Sequence, residues 1–433
     1  MILSNARILT FDPAQRVIDC GSVEIRKDGT IGAVSDRPAP KGRNVIDAQG
    51  KLLMPALINC HTHLYSTLAR GIGLTGSPPR NFPEILKNLW WRLDRALNPR
   101  DIYYSALVGL IDSAKCGVGT LVDHHSSPNA CAGSLDLIEQ AFREVGLRGV
   151  LCYETSDRNG AGGTKRGIAE NIRFIERAHK LKDGLISASF GLHAAFTLSD
   201  RTLRQCVEAN QSFNTGFHVH VAEDRSDAGA ARRLCNAGIL DGMSIAAHCI
   251  HVTAAEMNSL AERGVNVVHN PQSNCNNAVG VQKLLELNRR GVLVGLGSDG
   301  YTPRMWDEFK TAFHVQKLQA HDPRVAYAEA YAAAFLNNRK IAMKAWGLDL
   351  GCIEPEAKAD LVLIDYLPPT PLDAGNLFGH LLFGISNAPI DSLIVNGRYV
   401  LRHGKIVTVD ERAIREKACG QARKLWQRFE TIK

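Results

Sequence analysis

Eight short apolar runs separated by helical windows, chemistry-bearing residues at the ends of those runs, and β-prone segments confined to the two chain ends predict an α/β protein. The expected architecture is a distorted (β/α)8 barrel of the TIM type with a small β-sandwich domain built from both termini. In chain order, residues 2–10, 22–27 and 31–35 are β-prone, and Asp28-Gly29 signals a hairpin. The apolar runs follow at 52–60, 118–123, 147–153, 185–190, 216–221, 244–249, 265–269 and 292–297. Between them lie windows of helical spacing, among them 102–115, 134–145, 167–180, 202–212, 254–263 and 281–290. Such alternation is the pattern of parallel βα units, and eight of them fit a barrel. After the last unit, 359–364 and 392–395 read as strands, Asn396-Gly397 turns into 399–401, and a helix spans 410–428. The expected division is a composite β-sandwich domain, 1–53 with 355–433, that includes the closing helix, and a barrel of 54–354 that holds a metal.

Composition narrows the function. The chain has 433 residues, net charge +7, 45% hydrophobic and 22% charged residues, and a mean hydropathy of -0.12. This is globular composition and excludes a disordered or fibrous protein. Basic residues are scattered rather than gathered in a stripe, so no nucleic-acid partner is expected. No stretch reaches the ~18 apolar residues needed to span a bilayer, and the first residues lack a secretory pattern, so no membrane partner is expected. Eleven dispersed cysteines without a CxxC pair read as reduced thiols in a cytoplasmic protein. A homo-oligomer, dimer or higher, is expected.

The chemistry sits at the ends of the runs. His61-Thr62-His63 closes the first, His218-Val219-His220 and Glu223 the fifth, His248 the sixth, and Ser298-Asp299-Gly300 the eighth. Barrel enzymes place their sites at this rim. In a strand, residues i and i+2 face the same side, so His61 and His63 can share one ion. His220 arrives from across the barrel and Asp299 adds a carboxylate. Three imidazoles and one carboxylate with an open position suit one divalent ion, Zn²⁺ first, although the same set also suits Fe²⁺. His218, His251 and His269 read as packing or support, and Cys60 and Cys249 as buried core.

In PALINCHTH, HVHVAE, AAHCIH, VVHNPQSN, GLGSDG and EPEAKADLVLID the chain resembles the amidohydrolase superfamily, in its deaminase and chlorohydrolase branch. LWWRLDRALNPRDIYYSALVGLIDSAKCG and VDHHSSP are most similar to the SsnA-like aminohydrolases. The resemblance implies that His61, His63, His220 and Asp299 are metal ligands, that Glu223 is a proton shuttle, and that His248 lies beside the activated water. It further implies substrate contacts at His193 and Asp94. No lysine occupies 187–193, where two-metal members carry a bridging one, which implies a single ion. Pro55-Ala56, Glu356-Ala357, Cys275 and Asn276 depart from the family pattern, and the stretch from Glu223 to Ser244 is short.

The activity that follows is hydrolytic deamination of a small amino-substituted nitrogen heterocycle, of purine, pterin, pyrimidine or triazine type, by a metal-activated hydroxide. The same residues would also serve ring-opening hydrolysis of a cyclic amide or amidine. A metal-loaded binding protein without turnover is the third reading, and a proton shuttle argues against it.

Overall fold

The structure is a computed structural model and describes residues 1–74, 77–181, 183–347 and 349–432. Strands β1 (Ile2–Leu9), β2 (Val17–Ile25), β3 (Ile31–Ser35), β4 (Val45–Asp47) and β5 (Leu52–Pro55) come first. Then follow β6 (Leu57–Thr62), β7 (Val118–His125), β8 (Arg148–Tyr153), β9 (Ile186–Ala188), β10 (Phe190–Ala194), β11 (Phe217–Val221), β12 (Ile245–His248), β13 (Asn266–His269) and β14 (Leu293–Leu296). The chain ends with β15 (Leu361–Ile364), β16 (Ile390–Val395), β17 (Arg398–Arg402), β18 (Lys405–Ile406) and the helix Glu411–Thr431.

The two termini build one sheet, ordered β18-β17-β16-β15-β5-β1-β2-β3, with β4 on β1. Its seam is the antiparallel pair of β5 and β15, where Leu53 faces Leu363. A bridge between Thr30 and Lys358 returns the β3 edge to the chain entering β15, so the sheet curls around a core of Leu3, Ile8, Val23, Ile31, Leu53, Leu361 and Ile394. The hairpin turns flagged at each terminus abut. A Cβ at Gly29 would lie 2.6 Å from Asn396 Oδ1, and Gly29 has φ +80°, so only glycine fits there.

The barrel strands are parallel and form two sheets, β6 to β9 and β10 to β14. The fourth apolar run therefore holds two strands. Ser189 separates them, still bound to β8 through its N–H on the Leu151 carbonyl at 3.1 Å. The ring closes between β6 and the end of β14, where the Ser298 and Asp299 N–H groups donate to the His61 carbonyl at 2.9 and 3.0 Å. No helix among the described residues is long and apolar enough to cross a membrane.

Two boundaries differ from expectation. The first apolar run divides at Ala56, whose N–H donates to Asp360 while that of Leu57 donates to Gly117. The chain changes sheets there, so β5 extends the terminal sheet to Pro55 rather than ending at residue 53. An unbroken apolar run carries no mark of that exchange of partners. The closing helix packs on the barrel helix Pro99–Lys115, not on the sheet it follows. Arg415 pairs with Asp112 at 2.7 Å, and Gln421 donates to Asp101 at 2.7 Å.

A buried ion pair ties barrel to sheet. Arg148, in β8, is wholly enclosed and donates twice to Asp360, at 2.6 and 2.9 Å. Asp360 also accepts the Asn396 N–H at 2.7 Å. Removing one partner of such a pair leaves an uncompensated buried charge, so Asp360→Ala should lose about 3–5 kcal/mol of unfolding free energy. Denaturant titration checks this, and a variant within about 1 kcal/mol of wild type would show the pair to be dispensable. Deleting residues 1–50 removes β1 from the edge of β5 and opens the terminal core. Insoluble or dye-binding protein is expected, and a soluble, active 51–433 fragment would contradict the shared sheet.

Candidate active site

The C-terminal mouth of the barrel gathers the residues that the sequence singled out. Ligand-type atoms of His61, His63, His124 and His220 lie within 4.8 Å of one another, as do those of His61, His220, His248 and Asp299. His63 Nε2 is 3.1 Å from His220 Nε2 and 3.0 Å from Asp299 Oδ1, and His61 Nε2 is 3.6 Å from the same oxygen. His248 Nε2 lies 3.8 Å from Asp299 Oδ2 and 3.5 Å from Glu223 Oε2. Ala222, His248, Cys249 and Asp299 all have positive φ, from 47° to 74°. Each sits where a strand ends and the chain bends over the mouth. Non-glycine residues held this way cost about 1–3 kcal/mol apiece, a load concentrated at functional sites.

Tautomers follow from the outer hydrogen bonds. His63 Nδ1 donates to the His124 carbonyl at 2.6 Å, and His220 Nδ1 to the His193 carbonyl at 2.7 Å. A carbonyl only accepts, so both Nδ1 atoms carry the proton and both Nε2 atoms turn inward. His61 Nε2, His248 Nε2 and Glu223 Oε1 are buried without a hydrogen-bond partner among the described residues. Converging nitrogen acceptors, an adjacent carboxylate and unpartnered buried atoms form a donor set that fits a divalent cation.

Electrostatics divides the carboxylates. Burial opposes charge on Asp299, but the rings of His61 and His63 outweigh it and hold its carboxyl well below the usual range. Burial, reinforced by the Asp299 charge, raises Glu223 well above that range. The environment thus pushes the two carboxyl groups of one mouth in opposite directions, Asp299 down and Glu223 up. Ser273 Oγ donates to Asp299 Oδ2 at 2.5 Å, and His248 Nδ1 donates to Asn274 Oδ1 at 2.8 Å.

Above these groups is a cavity walled by Tyr65, Phe82, Trp90, Trp91, Phe196 and Tyr301. A π-helical turn at Leu86–Trp90 continues directly into the helix Trp91–Ala96, and the pair of tryptophans at this junction lines the wall. His193 lines the cavity with Nδ1 on Thr197 Oγ1 at 2.9 Å. Asp94 also reaches it, but as half of an ion pair with Arg158 at 3.1 Å, and it accepts from Ser126 at 3.1 Å. Burial raises the Asp94 carboxyl despite that partner.

Glu154 and His124 went unassigned in the sequence reading. Glu154 Oε1 lies 3.3 Å from His63 Nδ1 and 3.4 Å from His124 Nδ1. Burial, opposed by His63 and Arg158, raises its carboxyl to about 7. Glu154 stands one residue past the third apolar run, so the strand-end rule that found His248 would have found it as well.

Residues 52–400 match the family model described as "Amidohydrolase family". A 5'-deoxyadenosine deaminase of Methanothermobacter thermautotrophicus is 30% identical over 442 residues, covering 98% of this chain and 100% of the relative. A 5-methylthioadenosine/S-adenosylhomocysteine deaminase of Desulforudis audaxviator is 32% identical over 400 residues, 88% of each chain. An adenosine deaminase from Xanthomonas campestris with bound zinc shares the fold at a TM-score of 0.85 and 22% identity, covering 100% of this chain and 98% of that one.

Proposed function

This chain belongs to the amidohydrolase family, and from that membership and the geometry of its barrel mouth we propose that it is a metal-dependent aminohydrolase of adenosine-like heterocycles. The observation that carries this reading is the buried Glu223 carboxyl, set 3.5 Å from His248 and facing the same aromatic-walled cavity as Asp299. A binding protein has no use for such an acid beside such a base. The names of the two relatives support an adenine-type amine as the group removed.

His61, His63, His220 and Asp299 would hold one divalent ion, zinc by preference for this donor set. Bound there, the ion supplies Lewis-acid activation of water. Asp299 takes the proton that water sheds as its oxygen adds to the carbon bearing the amine. Ser273 fixes the oxygen that does so. Glu223 gives its proton to the ring nitrogen beside that carbon, which lets the ring accept the electron pair. His248, oriented by Asn274, holds the incoming oxygen. The proton on Asp299 then passes to the exocyclic nitrogen, the carbon–nitrogen bond breaks and ammonia leaves; the hydroxyl on that carbon gives its remaining proton to Glu223, which leaves a ring carbonyl and restores the acid. Trp90, Trp91 and Phe196 offer flat apolar faces to the ring, with His193 and Asp94 at its edge.

Ammonia release from adenosine, 5'-deoxyadenosine, 5-methylthioadenosine and other amino-heterocycles tests the proposal. Turnover without ammonia would overturn it in favour of ring opening. Elemental analysis should find about one divalent ion per chain, lost in His61→Ala and in His220→Ala; two at full occupancy would refute the single-ion site. Glu223→Gln should keep metal and fold yet lose at least 10²–10⁴-fold in kcat, the usual worth of a general acid–base group. Asp299→Asn should lose metal and turnover together. Normal turnover by Glu223→Gln would mean that another group is the acid.

A further inference from the structure

His63 and His220 rest on backbone carbonyls, which fix their protons. His61 does not. Its Nδ1 lies 2.8 Å from His218 Nε2, on a ring able to give or to take a proton. His218 Nδ1 lies 3.7 Å from Cys152 Sγ, and that sulfur is 3.5 Å from the carbonyl oxygen of Asp123. His61, His218 and Cys152 are each 0% exposed. His124 stacks on the His218 ring at 4.3 Å and 21°, which restrains its plane.

We propose that the row His61, His218, Cys152 and the Asp123 carbonyl is a proton-directing relay, with His218 the positioning residue that keeps His61 competent to bind metal. The inference rests on the metal reading above. The row can run in two directions. In the first, the Cys152 thiol donates to the Asp123 carbonyl and its sulfur accepts from His218 Nδ1–H. His218 Nε2 then accepts from His61 Nδ1–H, and His61 Nε2 keeps a bare lone pair in the cluster. In the second, the thiol turns toward His218 and every proton moves one nitrogen along. The Asp123 carbonyl loses the thiol, and His61 Nε2 carries a proton aimed at Asp299. Only the first direction leaves three open imidazole nitrogens, and it is the one that ends on a group able only to accept. Strands β6, β7, β8 and β11 each supply one member, so the relay exists only once four strands stand side by side.

The test compares the zinc affinity of wild type, His218→Gln and His218→Leu by competition with a chelator, with the fold of each followed by circular dichroism. Gln offers an amide oxygen to His61 and an amide N–H to Cys152, preserving the direction; Leu offers neither. Loss of such an outer partner typically weakens metal binding ~10–100-fold, which is expected for Leu while Gln stays near wild type. A second measurement needs no variant: ¹⁵N-histidine resonances of the zinc-loaded wild type should show His61 and His218 both protonated at Nδ1. Equal zinc affinity of the Leu variant and wild type, or a His218 proton on Nε2, would overturn the relay. Wild-type protein that takes up no zinc would overturn the metal reading itself.

Discussion

Everything at the barrel mouth depends on what holds the back of each imidazole. A ring whose Nδ1 donates outward must present Nε2 inward, and in this chain the rings of His63 and His220 present theirs 3.1 Å apart beside a carboxylate. Bringing acceptors together in a water-poor interior is costly unless a cation lies among them. The fold makes the arrangement unavoidable. β6 and the segment after β14 are sewn together at His61, Ser298 and Asp299, so the first and last strands of the barrel bring the side chains of His61 and Asp299 together at the seam that closes it. Closure of the barrel and completion of the donor set are one event.

Much of this was readable in the chain because period-two spacing and strand ends leave a local trace. His61 with His63, His220 with Glu223, and Asp299 in its Ser-Asp-Gly turn are all short-range patterns. What escaped is long-range. Ser273 meets Asp299 across 26 residues and Arg158 meets Asp94 across 64, and neither pairing leaves a mark nearby. The exchange of partners at Ala56 was hidden for a different reason: both flanking strands are buried on both faces and read as one apolar run. The contacts of the closing helix are long-range too, since the partners of Arg415 and Gln421 lie some 300 residues upstream.

The cavity wall adds selectivity to this core. Its aromatic residues would favour a flat ring, and Glu223 and Asp299 line the same cavity, so under the proposed activity they would meet the ring edge to be attacked. Arg158 is engaged by Asp94 and lies over the Trp91 ring at 5.0 Å, which braces the wall where a substrate would press against it.

The pairing of β5 with β15 has a consequence for how the protein is made. Leu52 and Leu53 bond to Ile364 and Leu363, about 310 residues later in the chain. At a synthesis rate of ~5–20 residues per second, the N-terminal strands wait roughly 15–60 s on the ribosome before their partners exist. During that interval the edge of β5 and the apolar faces of Leu3, Ile8 and Leu53 have nothing native to cover them. The chain therefore emerges with its first domain unfinished, a client for whatever shields nascent polypeptides until the last strands are released.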